Sequence, residues 1–277
     1  KTTSLPKARS KAERKRRADF IKQIDADLNL IPDPQVPKER APQSVVQDLT
    51  CKPGKELCAS TGETGNIVGS VFPKGVWAFT FDDGPAVKST SDMIDVVHGY
   101  SDKINPVGKA TFFWLAQNVP RYPQWVKKAF DSGLPFENHS FTHPDLARQN
   151  HAQRVHEIID ANNVLTKEFH KVDPNYVIQY FRCPYGSCYA PKVPEVRQMI
   201  ADQGQINVYW RVDSLDWKLL NGPKTAALVI KQMQLLNHGV ILMHDIHPTT
   251  VDAAKLVLAW MKDQNDNHGG QYKMVTI

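Results

Sequence analysis

The segment FTFDDGP (residues 79–85) ends an apolar run with two adjacent carboxylates, Asp82 and Asp83, just before a Gly-Pro break. Neighbouring side chains of a regular strand point to opposite faces, so this pair is poorly placed to flank one bond as the carboxylates of a glycosidase do. Different jobs suit them better. A metal ion lets them coexist by neutralising one carboxylate and leaving the other free to accept a proton. Further ligands stand in ENHSFTHPDL (137–146), where His139 and His143 are four residues apart and share one face of a turn or helix. Two imidazoles, one carboxylate and an open position for water make a typical catalytic zinc site. An H-x-x-x-H spacing by itself describes many ordinary histidine pairs; the nearby Asp pair gives it weight.

The elements that must position these residues follow from the hydrophobic pattern. Strands are expected at 76–81, 109–116, 135–139, 177–182, 206–213, 239–245 and 272–277. Amphipathic helical patterns lie near 88–100, 122–132, 148–170, 193–204, 223–237 and 249–263. Near-continuous apolar strands alternating with helices imply a parallel sheet buried on both faces, here curled into a β/α barrel of about seven units. Such barrels gather chemistry at the C-terminal ends of their strands. Those ends read Asp82-Asp83, His139, Arg182, Asp213 to Trp217, and His244. Asp245 and His247, just beyond, read as solvated or capping residues. The aromatic run FFWLA (112–116) reads as core, while Tyr122, Trp125 and Tyr189 are candidates for exposed ring-stacking surfaces.

The chain has 277 residues, 41% of them hydrophobic, enough for one large domain. Its net charge of +5 is concentrated in residues 1–17, which carry eight Lys or Arg and one Glu. The other 260 residues sum to −2, so the body is nearly neutral and unlike a nucleic-acid-binding domain. No apolar run approaches the roughly 20 residues of a membrane-spanning helix, and no signal-type apolar segment opens the chain. Residues 1–74 are basic and rich in Pro, and read as an arm that packs on or precedes a catalytic domain at 75–277. The four cysteines form two local pairs, Cys51 with Cys58 and Cys183 with Cys188, which as short-loop disulfides fit an oxidising compartment. The expectation is the mature form of an extracytoplasmic protein, monomeric, with the arm available to an anionic envelope.

Five motifs occur in order: TFDDGP (80–85), HSFTH (139–143), RCPYG (182–186), DSLDW (213–217) and LMH (242–244). In this the chain resembles the polysaccharide deacetylases of the NodB-homology type, carbohydrate esterase family 4. The resemblance implies a distorted (β/α)7-type barrel of the NodB-like kind, related to the TIM barrel. It also implies metal-dependent removal of N-acetyl groups from amino-sugar polymers. Carried over by position, it makes Asp83, His139 and His143 the metal ligands and Asp82 the general base. Arg182 would pair with Asp82. The backbone N–H of Tyr185 would help to stabilise the oxyanion. His244 would be the general acid, tethered by Asp216, with Asp213 the competing tether. Trp217 and Leu242 would line the slot for the acetyl methyl group. Zn2+ suits the donors best, and Co2+, Ni2+ or Fe2+ would take the same ligands.

The expected substrate is N-acetylglucosamine in peptidoglycan, with chitin or chitooligosaccharides second. A carbohydrate-binding pseudoenzyme and a hydrolase of a different amide are the competing readings. A pseudoenzyme has no need of both a base and an acid. Two features depart from the family pattern: the long N-terminal arm, and Cys183 beside Arg182, whose bridge to Cys188 would stiffen the RCPYG loop.

Overall fold

The structure, a computed structural model, describes residues 66, 67, 69, 72–188 and 193–277. The basic segment, most of the arm, the Cys51/Cys58 pair and Tyr189 lie outside the described residues. Among the described residues, nine strands form one parallel sheet: β1 (Asn66–Ile67), β2 (Val76–Asp82), β3 (Thr111–Trp114), β4 (Phe136–Asn138), β5 (Tyr180–Phe181), β6 (Ile206–Val208), β7 (Val212–Asp213), β8 (Gly239–His244) and β9 (Lys273–Val275). Their order is β1-β6-β5-β4-β3-β2-β8-β7, and β9 pairs with β2. β2 is central. One of its edges pairs with β8 from Trp77 to Asp82, while the other meets β9 over Val76–Ala78 and β3 over Thr80–Asp82. All seven of its residues are buried.

Period-2 alternation sorts these strands into two layers. Trp77, Phe79 and Phe81, with Phe112, Trp114, Ile241 and Met243, pack outward into the large core beneath the helices. Ala78, Phe113 and Val240 belong to a smaller interior cluster with Ile67, Val208 and Val275. By the same alternation Thr80 and Asp82 of β2 and Leu242 and His244 of β8 face the interior, and Asp82 and His244 are register partners. The sheet curls, and Gly69, just after β1, backs onto β8. A Cβ there would sit 2.6 Å from the Gly239 Cα, and the φ of +78° itself favours glycine.

Every expected strand except β2 is shorter than the pattern predicts, and two depart from it in their pairing. In 177–182 only Tyr180–Phe181 pair, because the buried Glu137 carboxylate accepts the N–H groups of Gln179 and Tyr180 in place of a neighbouring strand. The run 206–213 divides into β6 and β7 as the chain changes partners: Tyr209 donates to the Ile67 carbonyl and Arg211 to that of Val240. The expected helices appear at Ser89–His98, Pro123–Asp131, Pro194–Asp202, Gly222–Leu236 and Pro248–Asn267. The sixth, 151–169, is α-helical at both ends and contains a π turn at His156–Asp160. Asn150 and Gln153 open it with a reciprocal capping box. The described residues contain no helix long and apolar enough to cross a membrane.

Candidate active and metal site

Asp82 is the last residue of β2 and Asp83 the first beyond it. Asp83 adopts φ 75°, which breaks the strand alternation and swings its carboxylate to the side that Asp82 faces. The expected divergence of the two side chains therefore does not occur. Asp82 Oδ2 lies 3.7 Å and Asp83 Oδ1 3.3 Å from the same atom, His139 Nε2. Their partners differ. Asp82 Oδ1 accepts a 2.6 Å bond from Arg182 Nη1, and the guanidinium also donates to Thr80 Oγ1 and to the carbonyls of Val208 and Tyr209. Arg182 is wholly buried, 4.3 Å over the Phe113 ring. Burial lowers its pKa while Asp82 raises it.

His139 follows β4, and its Nδ1 meets the Arg182 carbonyl at 2.8 Å. A carbonyl only accepts, so Nδ1 carries a proton, and in the neutral tautomer the lone pair is left on Nε2, on the carboxylate side. Arg182 thus fixes Asp82 with its side chain and His139 with its main chain. His143, at φ 70°, places Nε2 3.3 Å from Asp83 Oδ1. Burial, and then the neighbouring His139, push its pKa down to about 4, which leaves the ring neutral. Burial alone raises the Asp83 pKa, but His139 and His143 outweigh it and hold the carboxyl well below its usual range.

These three residues have the character of a metal site. Asp83 Oδ1 is buried without a hydrogen-bond partner, and the donor atoms of Asp83, His139 and His143 all lie within 4.8 Å of one another. The two 3.3 Å separations match the edge of a tetrahedron with bonds of about 2.0 Å. One carboxylate and two imidazoles suit Zn2+.

Opposite stands His244 at the end of β8. Its Nδ1 lies 2.7 Å from Asp216 Oδ1, and its N–H donates to Asp216 Oδ2. Asp216 also accepts from Thr250 Oγ1 and from the Trp217 N–H. Burial works against a charged His244, but the hydrogen bond and charge of Asp216, reinforced by Asp82 and Asp83, push its pKa up to about 9. Asp213 accepts the Leu215 N–H instead, so the tether of His244 is Asp216. Trp217 is 53% exposed on the short helix Asp216–Leu219, whereas Leu242 is 4% exposed on β8. Tyr185, at φ 57° in the RCPYG turn, is 70% exposed and sets its ring edge-on to His143. A disulfide joins Cys183 to Cys188 across this turn.

Asp245 departs from expectation, being fully buried rather than solvated or capping. Its N–H extends the ladder to the Asp82 carbonyl, and its carboxylate accepts from Thr90 Oγ1 and Trp114 Nε1 beneath the DDGP turn. Burial pushes its pKa up to about 7. Thr250 and Glu157, which the motifs pass over, each bond directly to the site or its loops, as does Thr80, the first residue of TFDDGP, to which the resemblance gives no role. The run 112–116 is core as expected, and Trp125 packs against the same core.

Fold and cluster together define a curled parallel β/α barrel with a candidate metal site at its strand ends. Residues 69–203 match the model of the polysaccharide deacetylase family. It is 27% identical over 247 residues to the peptidoglycan-N-acetylglucosamine deacetylase PgdA of Listeria monocytogenes, covering 88% of this chain and 47% of that protein. It thus spans about half the length of that relative. A peptidoglycan-N-acetylglucosamine deacetylase of Bacillus cereus is 32% identical, with 67% of this chain and 65% of that protein aligned. The crystal structure of the Bc1960 peptidoglycan N-acetylglucosamine deacetylase superposes with a TM-score of 0.61 at 25% identity, over 76% of this chain and 89% of that one.

Proposed function

We propose that the chain is a metal-dependent deacetylase that hydrolyses the N-acetyl group of N-acetylglucosamine residues in peptidoglycan and releases acetate. The observation that carries this reading is the meeting of three separately prepared devices at one set of strand ends: the Asp83-His139-His143 trio, the Asp82–Arg182 pair and the His244–Asp216 pair. Asp83, His139 and His143 would hold the metal, which when bound supplies Lewis-acid activation of water and of an acyl carbonyl. Asp82, aimed by Arg182, takes the proton from the attacking water. The Tyr185 N–H, in a turn stapled by the disulfide, faces charge developing on the carbonyl oxygen. His244 enters the reaction protonated and delivers its proton to the departing amine, and Asp216 holds the ring on its Nδ1 side so that Nε2 carries the transfer. Trp217 and Leu242 border the acetyl methyl group.

The names of the relatives support peptidoglycan as the polymer, and the disulfide suits an extracytoplasmic site of action. The test is acetate release from purified peptidoglycan and from chitin oligomers, with metal-stripped and zinc-restored protein side by side. Zinc-dependent acetate from peptidoglycan is the expected result. Acetate from chitin oligomers alone overturns the substrate, and no acetate from either polymer by zinc-loaded protein overturns the reaction.

A further inference from the structure

The loop between the two histidines has a strained backbone: Ser140 and His143 both take left-handed conformations, at φ 77° and 70°. Such conformations persist only where the surroundings impose them. The hydrogen bonds of the loop impose them here. The Ser140 N–H donates to Asn138 Oδ1 and the His143 N–H to Ser140 Oγ, bonds made within the segment itself. The Ser140 and Phe141 carbonyls accept from Ala116 and Gln117 after β3. The two remaining N–H groups, of Phe141 and Thr142, both donate to Glu157 Oε2, at 2.9 and 2.8 Å. Thr142 Oγ1 donates to Glu157 Oε1 at 2.5 Å.

Glu157 is buried and lies within the π turn His156–Asp160. A π turn inserts an extra residue into a helix, changes where side chains point, and is frequent at functional sites. Here it interrupts a helix that resumes at Ala161 and runs to Phe169, and the interrupted turn carries the carboxylate under the loop.

We propose that Glu157 is a positioning residue for metal binding: its carboxylate holds the backbone of residues 141–142 so that His139 and His143 present Nε2 to one point. This rests on the Asp83-His139-His143 reading. Outer partners of metal ligands commonly set affinity by about 10- to 100-fold, and Glu157 acts on both histidines through the chain that joins them.

The experiment is zinc affinity of the metal-stripped full chain, measured by competition with a chromophoric chelator, with the melting temperature of each metal-free protein recorded alongside. Glu157→Leu, similar in size but unable to accept, is expected to bind zinc about 10-fold or more weakly, with far-ultraviolet circular dichroism unchanged. Glu157→Gln keeps an acceptor oxygen for the two N–H groups and is expected to recover most of the loss. Wild-type affinity in Glu157→Leu overturns the inference, and so does a loss in Glu157→Gln as large as in Glu157→Leu. Should Glu157→Leu fail to fold, Glu157→Asp, one methylene too short to span the loop, is measured in its place, and wild-type affinity there overturns the inference. His143→Ala is the control on the underlying site: zinc binding equal to wild type in that variant overturns the Asp-His-His reading itself, a result separate from any result at Glu157.

Discussion

Asp82 and Asp83 are neighbours in the chain with different surroundings, one on a guanidinium and the other between two imidazoles. Asp82→Asn is therefore expected to lower turnover by about 10²- to 10⁴-fold, the usual worth of a general base, while zinc content stays near that of wild type. Asp83→Ala is expected to lower both. Metal analysis of the two purified variants checks this, and equal zinc loss would sink the division of labour. At His244 the prediction concerns pH. Its folded-state pKa of about 9 lies above the ordinary 6.5, so protonation stabilises the fold. That contribution is fully present below about 6.5 and is lost as pH rises through about 9. In the metal-free protein a nuclear magnetic resonance titration of the ring is expected near 9, and in Asp216→Asn clearly lower, with the alkaline limb of activity moving the same way. The residue types of the site were legible in the sequence because few other roles need two carboxylates, two histidines and an arginine at strand ends. The choice between Asp213 and Asp216 was not, since it depends on which carboxylate the turn after β7 carries to His244. Nor was the burial of Asp245, whose sequence neighbours give no sign that it continues the β2–β8 ladder on the outward face.

At the scale of elements, the DDGP turn is wedged against Asp245. A Cβ on Gly84 would fall 2.4 Å from Asp245 Oδ2, 2.5 Å from Oδ1 and 2.7 Å from Trp114 Nε1. Gly84→Ala is expected to destabilise the protein by about 1–3 kcal/mol, the range for overpacking. Thermal denaturation checks this, and in the double variant Gly84→Ala/Asp245→Ala the clash with the carboxylate should be relieved. The strands that follow simple alternation, β2 and β8, were readable nearly to the residue. Those whose neighbours change were not: periodicity records which face a side chain takes and is silent on the partner of the backbone. Hence 206–213 read as one strand although Val208 pairs toward β1 and Val212 pairs with β8. Likewise 177–179 read as strand although a Glu137 oxygen stands where a neighbouring strand would.

For the molecule as a whole, the candidate metal trio joins the end of β2 to the loop after β4, so occupancy should register in global stability. At zinc 100-fold above its Kd, mass action adds about 2.7 kcal/mol to unfolding, or roughly 5–10 °C in Tm for a domain of this size. A scanning-calorimetry series over zinc concentration checks it; His143→Ala should lose most of the shift, and an undiminished shift there would place the bound zinc elsewhere. Arg182 ties the molecule together in another way. Its guanidinium is fully enclosed with Asp82 as its charge partner, across a sequence gap of 100 residues. Removing one member of a buried pair costs about 3–5 kcal/mol because the other is left uncompensated. Under the role proposed for Asp82, its replacement removes the base and also brings a folding defect with it, and replacing Arg182 by an uncharged residue would relieve that defect. A lineage drifting away from chemistry on this scaffold is steered to lose the two residues together, or to begin its decay at His244, which lies nearer the surface.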